Sequence, residues 1–233
     1  MSEAESERRV NFPVGRRRLL VGFLIGMLAV ACLLGFISAW RPAFYVPSTD
    51  PDAPRHEQAA RRLVTQLSAV HGGLGRPCRW GAVIADEEVN AWLDLEVPRN
   101  HPTLLPASVR RPLVAFEPKR IKAAARVGYG IASAVAWIDA EVALREINQL
   151  EIAVVGAGIG PVPVSRGLVL REIANRISPL GAVTELRQVG GRPVLLVYIP
   201  SVPDGGMTSR LEGLRIDDGE MVVEGMTRSE KYR

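Results

Sequence analysis

The run of residues most able to hold a ligand is Ile152-Ala153-Val154-Val155-Gly156-Ala157-Gly158-Ile159-Gly160. An apolar strand running into spaced glycines, with a helix soon after, is the layout that lets helix N-terminal amides meet a pyrophosphate. The details go against that chemistry. Pro161 holds the last fingerprint position, Pro163 delays the helix, and the first acid after the helix is Glu185, 29 residues beyond Gly156, whereas the ribose-binding acid lies about 20 residues on. No repeating strand-helix pattern completes a parallel sheet, so the motif reads as a glycine-rich strand end. His56, His71 and His101 lack HxH or HExxH spacing and Cys78 has no CxxC partner, so no metal site is expected. Ser133, Ser165, Ser178 and Ser201 have no nucleophile-elbow context. Asp86, Glu87 and Glu88 read as the solvated first turn of a helix, with Asp86 at its N-cap. No catalytic residue, no metal and no cofactor is expected, and the chain reads as non-enzymatic. An enzyme would need a cleft joining groups such as His71, Asp139 or Ser165.

Elements that could position an apolar ligand are easier to find. From Arg110 the hydrophobic period drops from about 3.6 to 2. Ile121, Ala123, Ala125, Val127, Tyr129, Ile131, Ser133, Val135 and Trp137 line one side of a long extended run, with Lys122 and Arg126 marking the other. At Trp137-Ile138 the register switches, which predicts a bulge or a turn. Such a row encloses either a dry core or a lipid-sized cavity. In the second case Val127, Tyr129, Ile131, Val135 and Trp137 are the apolar-ligand-binding residues, with burial worth about 25 cal/mol per Å². Further strands are predicted at Trp80–Ile84, Ile147–Val155, Pro193–Ile199, Leu211–Ile216 and Met221–Gly225, with Asp218-Gly219 turning the last hairpin. Helices are predicted at His56–Val70, from Asp86 through Leu93, and at Arg166–Ile177.

The N-terminal part sets the expected location. Leu19 to Trp40 carries no charge over 22 residues, enough for a helix to cover a hydrocarbon core of roughly 30 Å. Arg8, Arg9, Arg16, Arg17 and Arg18 precede it, which places the N-terminus inside and the rest of the chain outside. A cleaved signal peptide and a lipoprotein box at Ala29-Val30-Ala31-Cys32 compete with an uncleaved anchor, which the length of the apolar run favours. The domain plan is a basic head at 1–18, a transmembrane helix at 19–40, a Pro-rich spacer at 41–55, an extracytoplasmic domain at 56–226 and a tail at 227–233. Of 29 Lys+Arg and 25 Asp+Glu, 24 and 22 lie beyond the head, so the basic balance is no nucleic-acid footprint. Cys78 alone beyond the apolar run cannot form an intrachain bridge, and 47% hydrophobic residues over 233 positions supply a core instead.

The order of these features resembles the YpmS-like group of small bacterial single-pass proteins and, more distantly, is similar to tubular lipid-binding (TULIP-like) domains. The likeness lies in Glu88 to Leu93, the long alternating strands, Gly160-Pro161-Val162-Pro163 before a helix, and the closing pair Leu211–Ile216 and Met221–Gly225. It implies an extracytoplasmic, non-enzymatic, lipid-contacting module. The expected fold is therefore α+β: one N-terminal transmembrane helix, then a long-stranded, curved, mostly antiparallel sheet packed by two or three helices. The expected function is binding of a lipid or other apolar ligand at the cytoplasmic (inner) membrane, reached through residues 19–40. The alternative is an assembly module of a membrane complex with a dry core, in which the sheet edge or a loop such as Leu95 to Pro106 meets a protein partner.

Overall fold

The computed structural model describes residues 26, 27, 30, 32, 35–46, 54–129, 132–201, 203–204 and 207–229. Sheet dominates, in two separate antiparallel pieces. The first has four strands in the order β1 (Cys78–Ala85), β11 (Glu220–Ser229), β10 (Met207–Ile216) and β9 (Pro203–Asp204). The second runs β2 (Val109–Glu117), β3 (Arg120–Tyr129), β4 (Ala132–Glu146), β5 (Gln149–Ile159), β8 (Arg192–Tyr198) and β7 (Val183–Val189), with the short β6 (Val162–Pro163) also on β5. Helices α1 (Pro54–Leu74) and α2 (Asp86–Asn100) pack on each other and on β1, and α3 (Arg166–Ile177) lies over β5 and β8.

This corrects the expected fold class. The single helix-packed sheet is two sheets with few helices, and among the described residues no helix is long and apolar enough to cross a membrane. Of the segment 19–40, residues 26, 27, 30, 32 and 35–40 are described, and all of these but Trp40 are helical. After Ala39 the chain turns onto the longer sheet. Trp40 lies with its ring centroid 6.1 Å from that of Trp137. Tyr45 is 4% exposed and shares a core cluster with Ala124 and Val135, and Phe44 packs beside them. Aromatic rings leave water as readily against a sheet face as in a headgroup layer, and here residues 40–46 take the sheet. Residues 47–53 of the predicted spacer lie outside the described residues.

The second correction concerns the long apolar row. Residues 121–137 are two strands of a hairpin, and pairing across it reverses the parity of the row. Val127 sits opposite Ala134, while Val135 sits opposite Arg126 and Trp137 opposite Ala124. The odd-numbered residues of β3 therefore share a face with the even-numbered residues of β4. On that face Ile138, Val154, Ala157, Leu195 and Val197 form the core beneath α3, centred on the fully buried Leu170. The same face continues through Phe116, Ile121 and Val142 to Leu63, Ile84 and Ile216, which joins the two sheets. No register change occurs at Trp137-Ile138, where β4 pairs with β3 without a break, so the apparent switch is the same reversal of parity. A bulge lies instead in β5, where Asp139 and Ala140 meet Gly156 and Val154 and Val155 is the extra residue.

The opposite face is shared between charge and aromatic rings. Glu117–Lys122, Arg120–Asp139 and Arg120–Glu141 pair across β2, β3 and β4. Lys122 Nζ also stands 5.7 Å from the centre of the Phe44 ring. Beyond them Val135, fully buried, meets the 40–46 segment.

Candidate functional site

The glycine run is occupied by a tryptophan. A side chain at Gly156 would come within 3.1 Å of the Trp137 ring, and one at Gly158 within 2.8 Å of Trp137 Nε1 and 2.7 Å of the Val162 carbonyl oxygen. The Trp137 indole N–H donates to the Gly160 carbonyl at 3.0 Å. Gly160 itself has φ +57, and a Cβ there would lie 2.9 Å from the Ile37 carbonyl oxygen. The spacing that imitates a dinucleotide loop is thus the spacing of a β-strand, on which alternate glycines face one large ring.

The five expected ligand-binding residues do not share a wall. Val127 is half-buried on the α3-covered face of the sheet, and Tyr129 is 61% exposed, with the Arg110 guanidinium 5.9 Å from its ring centre. Val135 and Trp137 belong to the opposite face, packed against Tyr45, Phe44 and Trp40. Ile131 lies outside the described residues.

The acidic turn at Asp86–Glu88 has a structural role that its sequence pattern does not announce. Ala85 is the N-cap, so Asp86 is the first helical residue, and its Oδ2 accepts from the Phe116 amide at 3.3 Å. One turn later Asn90 takes both backbone groups of Val114: the Val114 amide donates to Oδ1 at 2.7 Å, and Nδ2 donates to the Val114 carbonyl at 2.8 Å. Together they occupy the outer edge of β2, which would otherwise be free. Glu88 is buried rather than solvated, and its Oε2 accepts from Gln66 Nε2 at 3.1 Å and from the Ala85 amide at 3.4 Å. An i, i+4 Asp/Asn pair opening a helix beside a strand is the only signal from which this clamp could be read.

The remaining polar residues stay apart. His71 and His101 are exposed, Ser133 accepts from Arg126 at 3.3 Å, Ser178 Oγ donates to the Ala174 carbonyl at 2.8 Å, and Ser201 accepts from Asn148 at 3.0 Å. Cys78 Sγ points to the Gly73 carbonyl at 3.6 Å. Among the described residues no cluster of three or more His, Cys, Asp or Glu could hold a metal ion.

A groove of about 450 Å³ lies between the last turns of α2, the loop 101–108 and the start of β2. Leu93, Val97, Leu105 and Val109 supply its aliphatic lining, and Pro98, Pro102, Pro106 and Pro112 stiffen it. Arg110 and Arg111 stand exposed on its rim. β2 bulges between Arg110 and Leu113, and Arg111 there takes φ +48, a left-handed conformation uncommon for any residue but glycine, asparagine or aspartate. The Tyr45 hydroxyl holds the bulge by donating to the Arg111 carbonyl at 2.9 Å. On the α2 side Asp94 Oδ2 lies 3.4 Å from His56 Nε2, near enough for charge attraction but too poorly aligned for a hydrogen bond. Burial raises the Asp94 pKa above its ordinary value, against the pull of His56 and Arg111. Arg110 makes no ion pair with a carboxylate among the described residues, so its charge is available to a ligand.

No protein-family model, no curated protein and no solved structure matches this chain. The likeness to YpmS-like and tubular lipid-binding proteins therefore rests on the sequence pattern alone.

Proposed function

We propose that this chain is a non-enzymatic interaction module whose groove between α2 and β2 receives an extended, acidic and apolar segment of a partner protein. The observation that carries this reading is the strained bulge at Arg111. It sets two exposed arginines on the rim of an aliphatic, proline-stiffened groove and is tied down from beneath by Tyr45. Backbone strain held in place by a dedicated hydrogen bond is a feature of sites that must present side chains in a fixed direction. Prolines keep the groove from collapsing, and arginine recognises carboxylates in a forked geometry. The segment Leu95 to Pro106, expected from sequence as a partner-facing loop, is the end of α2 as far as Asn100 and a loop only from His101, and it forms one wall. The apolar-ligand reading draws no support from residues that lie on two faces of a sheet.

The test uses the full chain and an array of synthetic peptides of about ten residues with alternating apolar and acidic positions. Hits are then measured by calorimetry. The reading predicts that Arg110→Glu with Arg111→Glu weakens binding at least about tenfold, and that Leu105→Trp, at a half-buried position of the groove loop, abolishes it by filling the groove. Peptide binding indifferent to both variants would overturn the reading. So would an absence of peptide binding together with an acyl species released by organic extraction of the purified chain.

A further inference from the structure

We propose that the chain forms a two-fold homodimer by antiparallel pairing of β7 with β7 of a second copy, centred on Leu186. This surface is remote in sequence from the groove and does not depend on it. β7 ends the order of the longer sheet, hydrogen-bonded to β8 on one side and to no described strand on the other. The opposite end, β2, is clamped by Asp86 and Asn90, and β9 at the end of the smaller sheet is two residues long. β7 has seven residues and no proline, and its edge carries no such cover among the described residues. Its apolar side chains Val183, Leu186 and Val189 are 64%, 44% and 51% exposed.

The occupant is identified by the strand's own sequence, Val183-Thr184-Glu185-Leu186-Arg187-Gln188-Val189. Read in both directions it is complementary to itself. With Leu186 on the dyad, Val183 meets Val189 of the second copy, Thr184 meets Gln188, and Glu185 meets Arg187. Every pair then joins like with like in polarity and opposite in charge. Sliding the partner by two residues either way sets Glu185 against Glu185 or Arg187 against Arg187, so the charges exclude the neighbouring in-face registers. A two-fold axis needs a self-complementary patch, and a strand with this palindrome provides one. Within the single chain the Glu185 carboxylate and the Arg187 guanidinium already meet at 2.8 and 3.0 Å, which holds both side chains on one face of the strand.

The experiment is a sedimentation series on the full chain, up to about 200 μM, with three charge variants. The wild type is expected to dimerise. Glu185→Arg alone or Arg187→Glu alone places like charges opposite each other twice per dimer, and dissociation should rise at least about tenfold. The double variant Glu185→Arg with Arg187→Glu restores the complement and should recover dimerisation, which separates a lost interface from a lost fold. Register is read by cysteine crosslinking in a Cys32→Ser, Cys78→Ser background. Leu186→Cys should oxidise to a covalent dimer with itself. Thr184→Cys and Gln188→Cys should not self-link but should link when mixed, because only directly opposed residues bring their Cβ atoms within disulfide reach. A wild type monomeric throughout the series, a double variant no better than the singles, or Leu186→Cys that stays reduced while Thr184→Cys self-links would each overturn the proposal.

Discussion

Two tryptophans lie across glycines in this molecule, and they differ in one hydrogen bond. Trp137 lies over Gly156 and Gly158, and its indole N–H reaches the Gly160 carbonyl. Trp80, on β1 of the smaller sheet, lies against Gly225 of β11 and Gly73 of helix α1, and its buried indole N–H has no hydrogen-bond partner among the described residues. Both show how a sheet makes room for the largest side chain by deleting the one beneath it. Only the first is also tied to the backbone it covers. Shape alone fixes Trp80, whereas shape and a directional bond fix Trp137, and a buried donor without an acceptor costs stability.

The most damaging change to either tryptophan's seat falls at Gly225. A Cβ there would collide with both the Trp80 ring and the Arg210 carbonyl, and neither can move freely. Gly225→Ala is expected to cost about 3 kcal/mol in urea unfolding. Gly158→Ala should cost about 2 kcal/mol, since it crowds the Val162 carbonyl as well as Trp137. Replacing each ring by Phe isolates the hydrogen bond. Trp137→Phe strands the Gly160 carbonyl, while Trp80→Phe removes an unpaired donor. The first should be more destabilising than the second by about 1 to 2 kcal/mol once the lost ring area is matched. A reversed order would mean that Trp80 finds an acceptor in solution.

The smallest effect expected is electrostatic and lies in the groove. Burial holds the Asp94 carboxyl above its ordinary pKa of 3.8. The folded chain then keeps that proton at a pH where the unfolded chain has lost it. The contribution to stability therefore falls as pH rises from below 3.8 through the raised value, and it stays low above. Asp94→Asn has no such loss. Its unfolding midpoint relative to wild type should be higher at pH 7 than at about pH 3.5.

How far the sequence discloses this structure depends on whether a segment's pattern is local. Arg166–Ile177 has the helical bounds that its apolar stripe of Val169, Ile173 and Ile177 predicts, because that period needs no knowledge of the rest of the chain. The closing strands and the Asp218-Gly219 turn are legible for the same reason. The row from Ile121 to Trp137 misleads. A hairpin turn in an alternating run preserves the pattern along the chain but exchanges the faces across the turn, so residues read as one wall belong to two. β7 gives no signal at all. Both of its faces are open to solvent, so Val, Thr, Glu, Leu, Arg, Gln and Val show no apolar period. The groove is visible only as the segment Leu95 to Pro106, whose first half is the end of α2 and not the loop its sequence suggests. Its arginines are not, because nothing in Val109-Arg110-Arg111-Pro112 announces a bulge. Trp40, Phe44 and Tyr45 carry the right chemistry, a tendency to leave water, without saying which apolar surface they will meet.

Where residues 40–46 lie on the longer sheet its face is closely packed, which favours the groove rim and the β7 edge over a ligand cavity at that place. Val135 is the residue that decides this. It has no exposed surface and is enclosed by Tyr45 and Ala124. Val135→Trp adds an indole where the packing leaves no volume, and the urea midpoint should fall by the equivalent of about 3 kcal/mol with cooperative unfolding retained. A midpoint equal to that of the wild type would mean that the face encloses empty space there, and its close packing would be contradicted.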